Sequence, residues 1–270
     1  LHPAVPAVQI SGADTSAALT VEGNMQVTSL LRSLRLRITG LRGRALDRSL
    51  AVIVAVAGVL AYGFIQLAGE VLEGETRAFD ETLLLIFRTP GDLSRPIGPL
   101  WLPEAMRDFT ALGGTGVLAL VTLGAVAYLA MSRRWHTALF VLVAVMGGVT
   151  VSSLLKLGFA RPRPDLVPHG AVVFTNSFPS GHAMMSAVVY LTLGNLFARA
   201  HKATAIKVYF VAAALCVTLL VGVSRVYLGV HWPSDVLAGW ALGGCWALLS
   251  WLVMVRLQAS GQVESEDPDD

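Results

Sequence analysis

Three short stretches bring together side chains that can grip an anion and move a proton or a phosphoryl group. They are Lys156-Leu157-Gly158-Phe159-Ala160-Arg161-Pro162-Arg163-Pro164, Pro179-Ser180-Gly181-His182, and Ser224-Arg225 followed by His231 and Asp235. A lysine point charge beside an arginine fork is a usual way to hold phosphoryl oxygens. Standing alone, Lys156 and Arg163 also read as interfacial cations that snorkel to a membrane surface, and Arg161 is read as that and no more. Ser180 is placed to cap a helix start, leaving first-turn amides at the positive end of the helix dipole, where an anion binds well. Gly181 lets that anion approach the backbone, and His182 then stands beside it, able to protonate a leaving oxygen. A capped helix with an interfacial histidine explains the same four residues.

The third stretch is the most pointed. Pro233 suits the first position of a helix, Asp235 falls in its first turn, and His231 lies just before it. A carboxylate at that reach accepts one imidazole N–H, fixes the tautomer and aims the other nitrogen outward as a nucleophile toward phosphorus. Asp235 also suits a helix N-terminus on electrostatic grounds alone, but that leaves His231 and Arg225 unexplained.

What positions these residues is an apolar chain. Of 270 residues, 54% are hydrophobic and 14% charged, against roughly 25% charged in soluble domains. Mean hydropathy is +0.65, so a bilayer is the expected solvent. Six windows have the length and composition of spans: 50–72, 112–131, 137–157, 181–198, 207–226 and 233–255. The expected fold is therefore an all-α, six-helix membrane bundle. Basic residues group before the first window (Arg32 to Arg48), between the second and third (Arg133, Arg134), between the fourth and fifth (Arg199, Lys202, Lys207), and after the sixth (Arg256). With six spans, all of these lie on one side, which the positive-inside rule makes the cytoplasm, with both termini. Every residue of the three stretches then falls on the opposite face.

Residues 1–30 are expected to be disordered or upstream sequence, with Met25 the first candidate start. Residues 31–48 form a basic juxtamembrane segment, 49–257 the six-helix domain, and 258–270 an acidic disordered tail. Residues 73–110 are an outer loop, in which 79–87 reads as an amphipathic interfacial helix. Cys216 and Cys245 lie in apolar runs and are expected to be buried free thiols. Gly239 and Gly243 give a spacing that permits close helix approach. No basic stretch interleaved with aromatics points to nucleic acid.

Together and in this order, the stretches resemble the signature of the type 2 phosphatidic acid phosphatase (PAP2) superfamily: Lys-x6-Arg-Pro, Pro-Ser-Gly-His, and Ser-Arg-x5-His-x3-Asp. The sequence matches at Lys156, Arg163-Pro164, Pro179-Ser180-Gly181-His182, Ser224-Arg225, His231 and Asp235 without departure. The resemblance implies that His231 attacks phosphorus and becomes a phosphohistidine, oriented by Asp235. His182 would protonate the leaving oxygen and later help activate water. Lys156, Arg163, Arg225, Ser180 and the Gly181 amide would hold the phosphoryl oxygens. With one carboxylate and no set of metal ligands at the site, neither metal nor other cofactor is expected. His169, Asp165 and Asn176 have no place in the signature; the loop 165–178 is expected to shape the mouth of the site.

The expected activity is hydrolysis of a lipid phosphate or diphosphate at the outer face of a bacterial inner membrane, with undecaprenyl diphosphate first among substrates. Phosphatidylglycerophosphate, phosphatidic acid, or phosphoryl transfer to another acceptor are alternatives, as is a lipid-binding or transport protein without catalysis. The soluble haloperoxidases that share this site do not fit so hydrophobic a chain. The sequence leaves oligomeric state open.

Overall fold

The computed structural model describes residues 50–171 and 175–264. The expected basic segment 31–48 and the upstream residues 1–30 lie outside it. From Ile53 onward the chain forms one compact unit.

Helix α1 (Leu50–Glu73) is apolar on nearly every face and buries little of itself within the protein. Its inner side reaches α9 (Pro233–Ala259) and the loop before α6 through Phe64, Leu67, Ala68 and Val71, which pack on Phe178 and Ala238. The segment that follows folds into α2 (Arg77–Leu85), a short antiparallel hairpin of β1 (Arg88–Thr89) and β2 (Asp92–Pro96), and α3 (Leu102–Ala111). The expected interfacial helix thus exists as α2, but it buries an aspartate, Asp80, along with Leu84.

Helices α4 (Thr115–Met131) and α5 (Trp135–Phe159) form an antiparallel pair joined by a tight turn. Glu264 accepts the backbone N–H groups of His136 and Thr137 at 3.1 and 3.0 Å, satisfying orphan donors at the start of α5. Helix α5 ends where the sequence requires. Ala160 turns left-handed at φ 44°, and Pro162 forbids helical geometry at Arg161 before it.

The next helix runs from Gly181 to Arg199 as α6 (Gly181–Ser186), a π turn (Ala187–Leu191) and α7 (Thr192–Arg199). It is the inner helix of the bundle: Ala183, Met184, Ala187, Val188 and Val189 are almost wholly shielded. Helix α9 lies directly against it. A Cβ on Gly239 would stand 2.7 Å from the Ser180 carbonyl oxygen, and one on Gly243 would strike the carbonyl of Met184. Small residues here let two backbones touch. Helix α8 (Thr204–Tyr227) packs on the other side and ends at Gly229, whose φ of +69° turns the chain toward α9.

Among the described residues, four helices (α1, α5, α8, α9) are long and apolar enough to cross a membrane. A fifth span arises if α3 and α4, bent by 47°, are one broken crossing. The expected window at 112–131 is mostly α4, which at 17 residues is too short to qualify alone. The window at 181–198 is helical throughout, but its π turn divides it into pieces below spanning length. Cys245 is a buried free thiol as expected; Cys216, also free, is exposed, because the face of α8 that carries it looks away from the bundle.

Candidate active site

The C-terminal ends of α5 and α8 and the starts of α6 and α9 meet at one end of the bundle. Ser180 is fully buried; its hydroxyl caps α6 at the Ala183 N–H (3.5 Å), and its own N–H donates to the Asp235 carbonyl (2.9 Å). That backbone bond joins the N-termini of α6 and α9.

At the start of α9, Asp235 Oδ2 accepts the Trp232 N–H at 2.9 Å, closing the first turn. The same oxygen lies 3.3 Å from His231 Nδ1 and also accepts the Ser177 hydroxyl. Ser177 Oγ is itself 3.3 Å from Nδ1. On the opposite edge of the ring, Arg163 Nη1 lies 3.1 Å from His231 Nε2. A guanidinium can only donate, so Nε2 is the acceptor and the ring proton sits on Nδ1, facing Asp235. His231 is 1% exposed. Burial pushes its pKa down to about 3, although the bond to Asp235 pulls the other way, so the ring is a neutral base at physiological pH.

Arg163 is held by the chain around it: Nε donates to Thr175 O at 2.8 Å, Nη1 to Val230 O at 2.5 Å, and Nη2 reaches Thr175 Oγ1 at 3.3 Å. Burial lowers its pKa while Asp235 opposes the shift. Lys156 Nζ donates to the same Thr175 hydroxyl and to Asn176 O, both at 3.1 Å, and Asn176 Nδ2 returns a bond to Lys156 O. Its side chain runs beside the α6 N-terminus, since a Cβ on Gly181 would lie 3.3 Å from Lys156 Cε. Arg225 is 3% exposed and donates to Thr110 Oγ1 on α3 at 2.9 Å. His182 lies in the first turn of α6, with its backbone and Cβ beside Gly113.

These groups form a cationic cluster at the ends of four helices, with a neutral imidazole whose accepting nitrogen faces Arg163. The PAP2 superfamily profile matches residues 137–259. A phosphatidylglycerophosphatase B of Bacillus subtilis is 37% identical over 153 residues, 53% of this chain and 70% of that enzyme. The chain belongs to the PAP2 superfamily. An undecaprenyl-diphosphatase of Sulfolobus acidocaldarius is 33% identical over 46% of this chain, and the match spans only 54% of that relative. The crystal structure of a transmembrane PAP2-type phosphatidylglycerolphosphate phosphatase from Bacillus subtilis superposes with a TM-score of 0.66 at 28% identity, covering 74% of this chain and 96% of that one.

All eight residues expected from the PAP2 signature, Lys156, Arg163, Ser180, Gly181, His182, Arg225, His231 and Asp235, thus gather at one end of the bundle. One expectation is overturned. Arg161 is no snorkelling cation: its side chain is only 14% exposed, with Nη1 on Asp235 Oδ1 (2.6 Å) and Ser234 Oγ (2.8 Å), and Nη2 on Asp80 Oδ2 (2.7 Å). A buried carboxylate on each side of the guanidinium holds it in the protein. His169 ties the loop to itself through Pro164 O at 2.7 Å.

The sequence did not single out Thr175, Ser177, Thr110 or Asp80. Hydroxyls carry no motif of their own. Thr110 and Asp80 also lie upstream of the PAP2 match, in the segment between α1 and α4. Among the described residues, no group of three or more His, Cys, Asp or Glu is placed to hold a metal ion.

Proposed function

We propose that this chain is an integral-membrane phosphatase that removes a phosphoryl group from a lipid head group through a phosphohistidine on His231. Lys156, Arg163 and Arg225 hold the phosphoryl oxygens, with the Ser180 cap and Gly181 amide at the helix N-terminus. The Nε2 lone pair attacks phosphorus, the bond from phosphorus to the lipid oxygen breaks, and that oxygen takes a proton from His182. In the second half, His182 takes a proton from water, the water oxygen attacks phosphorus, and the P–N bond breaks to release phosphate and restore Nε2. Positioning and charge stabilisation do most of the work in such a transfer.

The reading is carried by His231, whose two nitrogens meet a carboxylate at 3.3 Å and a guanidinium at 3.1 Å. A pocket that merely gripped phosphate has no use for a buried neutral imidazole oriented in this way. The membrane layout follows from the same proposal. The helix over 181–199 is the fourth of six spans, 31–48 is a basic cytoplasmic segment, and both termini are cytoplasmic. The site opens on the outer face of a bacterial cytoplasmic membrane.

Undecaprenyl diphosphate is the first substrate proposed, and phosphatidylglycerophosphate is the second. The second is favoured by the match over 70% of a relative named for that lipid. The test uses purified protein in detergent with undecaprenyl diphosphate, phosphatidylglycerophosphate and phosphatidic acid, measuring free phosphate, and a labelled acceptor lipid to detect transfer. His231→Ala should abolish release from every lipid while leaving lipid binding largely intact. Unchanged turnover in that variant would remove the mechanism.

A further inference from the structure

Asp80, on α2, is completely shielded from solvent. A carboxylate taken out of water costs several kcal/mol unless it is paired and hydrogen-bonded. Here it is both. Oδ2 accepts Arg161 Nη2 at 2.7 Å and the Ser234 hydroxyl at 2.7 Å, and Oδ1 accepts the Ser234 backbone N–H at 2.8 Å. Thr76, one turn earlier, accepts Arg161 Nη2 at 3.1 Å. The other guanidinium nitrogen, Nη1, meets Asp235 Oδ1 at 2.6 Å. One arginine therefore bridges two buried carboxylates, and the second of these faces His231 through its other oxygen.

We propose that Asp80 is a positioning residue for phosphoryl transfer at His231, acting through Arg161 and Ser234. The inference rests on the phosphohistidine reading and adds to it a residue from outside the family match, which begins at 137. Two effects follow from the geometry. First, Asp80 holds the Ser234 N–H, an orphan donor of the first turn of α9, and so fixes the turn that carries Asp235. Second, it neutralises Arg161. An uncompensated guanidinium on Oδ1 draws charge from Asp235 and weakens its grip on the Nδ1 proton. That grip matters most when Nε2 has bonded to phosphorus and the ring carries positive charge. Asp80 never touches substrate; it keeps Asp235 basic and still.

The test measures turnover per active site. Purified full-length protein is mixed with undecaprenyl diphosphate or phosphatidylglycerophosphate labelled in the terminal phosphate. Alkali quenching then counts phosphohistidine, and steady-state phosphate release gives kcat and KM. Asp80→Asn should lower kcat per labelled site by roughly ten- to a hundred-fold, the usual scale for residues supporting a reacting group, with KM within about two-fold. Asp80→Glu should recover part of that loss. Arg161→Gln added to Asp80→Asn should cost less than it does alone, because the two act as one unit. A purely structural role would reduce the amount of labelled enzyme while leaving both the rate at which label forms in the first turnover and kcat per labelled site at their wild-type values, and that result overturns the proposal. If Asp80→Asn does not fold, Arg161→Gln decides by the same criterion. His231→Ala separates the two readings: a surviving phosphoenzyme there defeats the mechanism itself, whereas loss of label there with wild-type turnover in Asp80→Asn defeats only the role of Asp80.

Discussion

Arg163 donates to Nε2 of His231 across 3.1 Å while the same guanidinium nitrogen donates to the Val230 carbonyl. The contact occupies the lone pair proposed to attack phosphorus. When a phosphoryl group enters, its oxygens become better acceptors than an imidazole nitrogen, because hydrogen bonds between ions are roughly twice as strong as neutral ones. Arg163 can then release Nε2 to the reaction and keep its fork on the substrate. The resting contact also protects a buried lone pair that would otherwise lack a partner.

This exchange needs a fork. Arg163→Lys keeps the charge but cannot span Thr175, Val230 and a phosphoryl oxygen together. It should lower kcat by roughly a hundred-fold or more, the scale for losing a donor to transition-state charge. Steady-state phosphate release measures it, and a loss below three-fold contradicts the assignment.

The depressed pKa of His231 predicts an unusual acid limb. An imidazole of ordinary pKa would lose roughly thirty-fold in its neutral fraction between pH 7 and pH 5. His231 titrates only toward about 3, so its neutral form persists across that range. After correction for the substrate's own ionisation, kcat/KM should fall by less than three-fold from this group. Stability moves with it. The unfolded chain takes up this proton below about 6.5 and the folded protein only near 3, so stability is whole above 6.5 and drains away as pH falls between these values. The melting temperature in detergent should decline over that window, and less steeply in His231→Gln.

Ser177 donates to Asp235 Oδ2 and lies against His231 Nδ1, so its hydroxyl helps set which way the carboxylate faces. Ser177→Ala should lower kcat roughly ten-fold with KM little changed. Ser177→Thr, which keeps the hydroxyl, should do less harm. Equal activity in all three proteins would show that the contact is incidental.

The backbone contact between α6 and α9 is intolerant of bulk. Gly243→Ala drives a methyl into the Met184 carbonyl and should destabilise the protein by about 1–3 kcal/mol. Gly239→Ala presses on the Ser180 carbonyl, 2.7 Å from the new atom, and should also cost activity because Ser180 starts α6. Melting temperature and kcat together distinguish the two; identical behaviour would contradict a special place for Gly239.

The donors proposed to hold phosphate are cations and amides, and the Asp235 carboxylate beside them is already engaged by Arg161, Ser177 and the Trp232 N–H. Chelator should therefore leave phosphate release within two-fold of untreated enzyme. Loss restored by Mg²⁺ would require a different chemistry.

Composition alone places the chain in lipid, because too few charged residues exist to cover it in water. The sequence also marked the residues proposed to carry the chemistry. Lys156, His182, Arg225 and Asp235 stand at the ends of apolar runs, and an apolar run fixes the direction of its helix and the side on which it ends. Local pattern treats Arg161 and Arg163 alike, since both stand before a proline in the same short turn; the resemblance gave Arg163 a phosphate to hold and left Arg161 a surface cation. Their partners in the structure distinguish them, with His231 beside one and Asp80 and Asp235 around the other. Asp80 reads as an ordinary polar position on an amphipathic helix, and Ser177 as a loop hydroxyl. Tertiary packing alone buried Ser177 against His231 and Asp235, and Asp80 against Arg161 and Ser234, because a side chain's burial depends on which distant segment covers it, and that information lies in the pairing of helices rather than in any one of them.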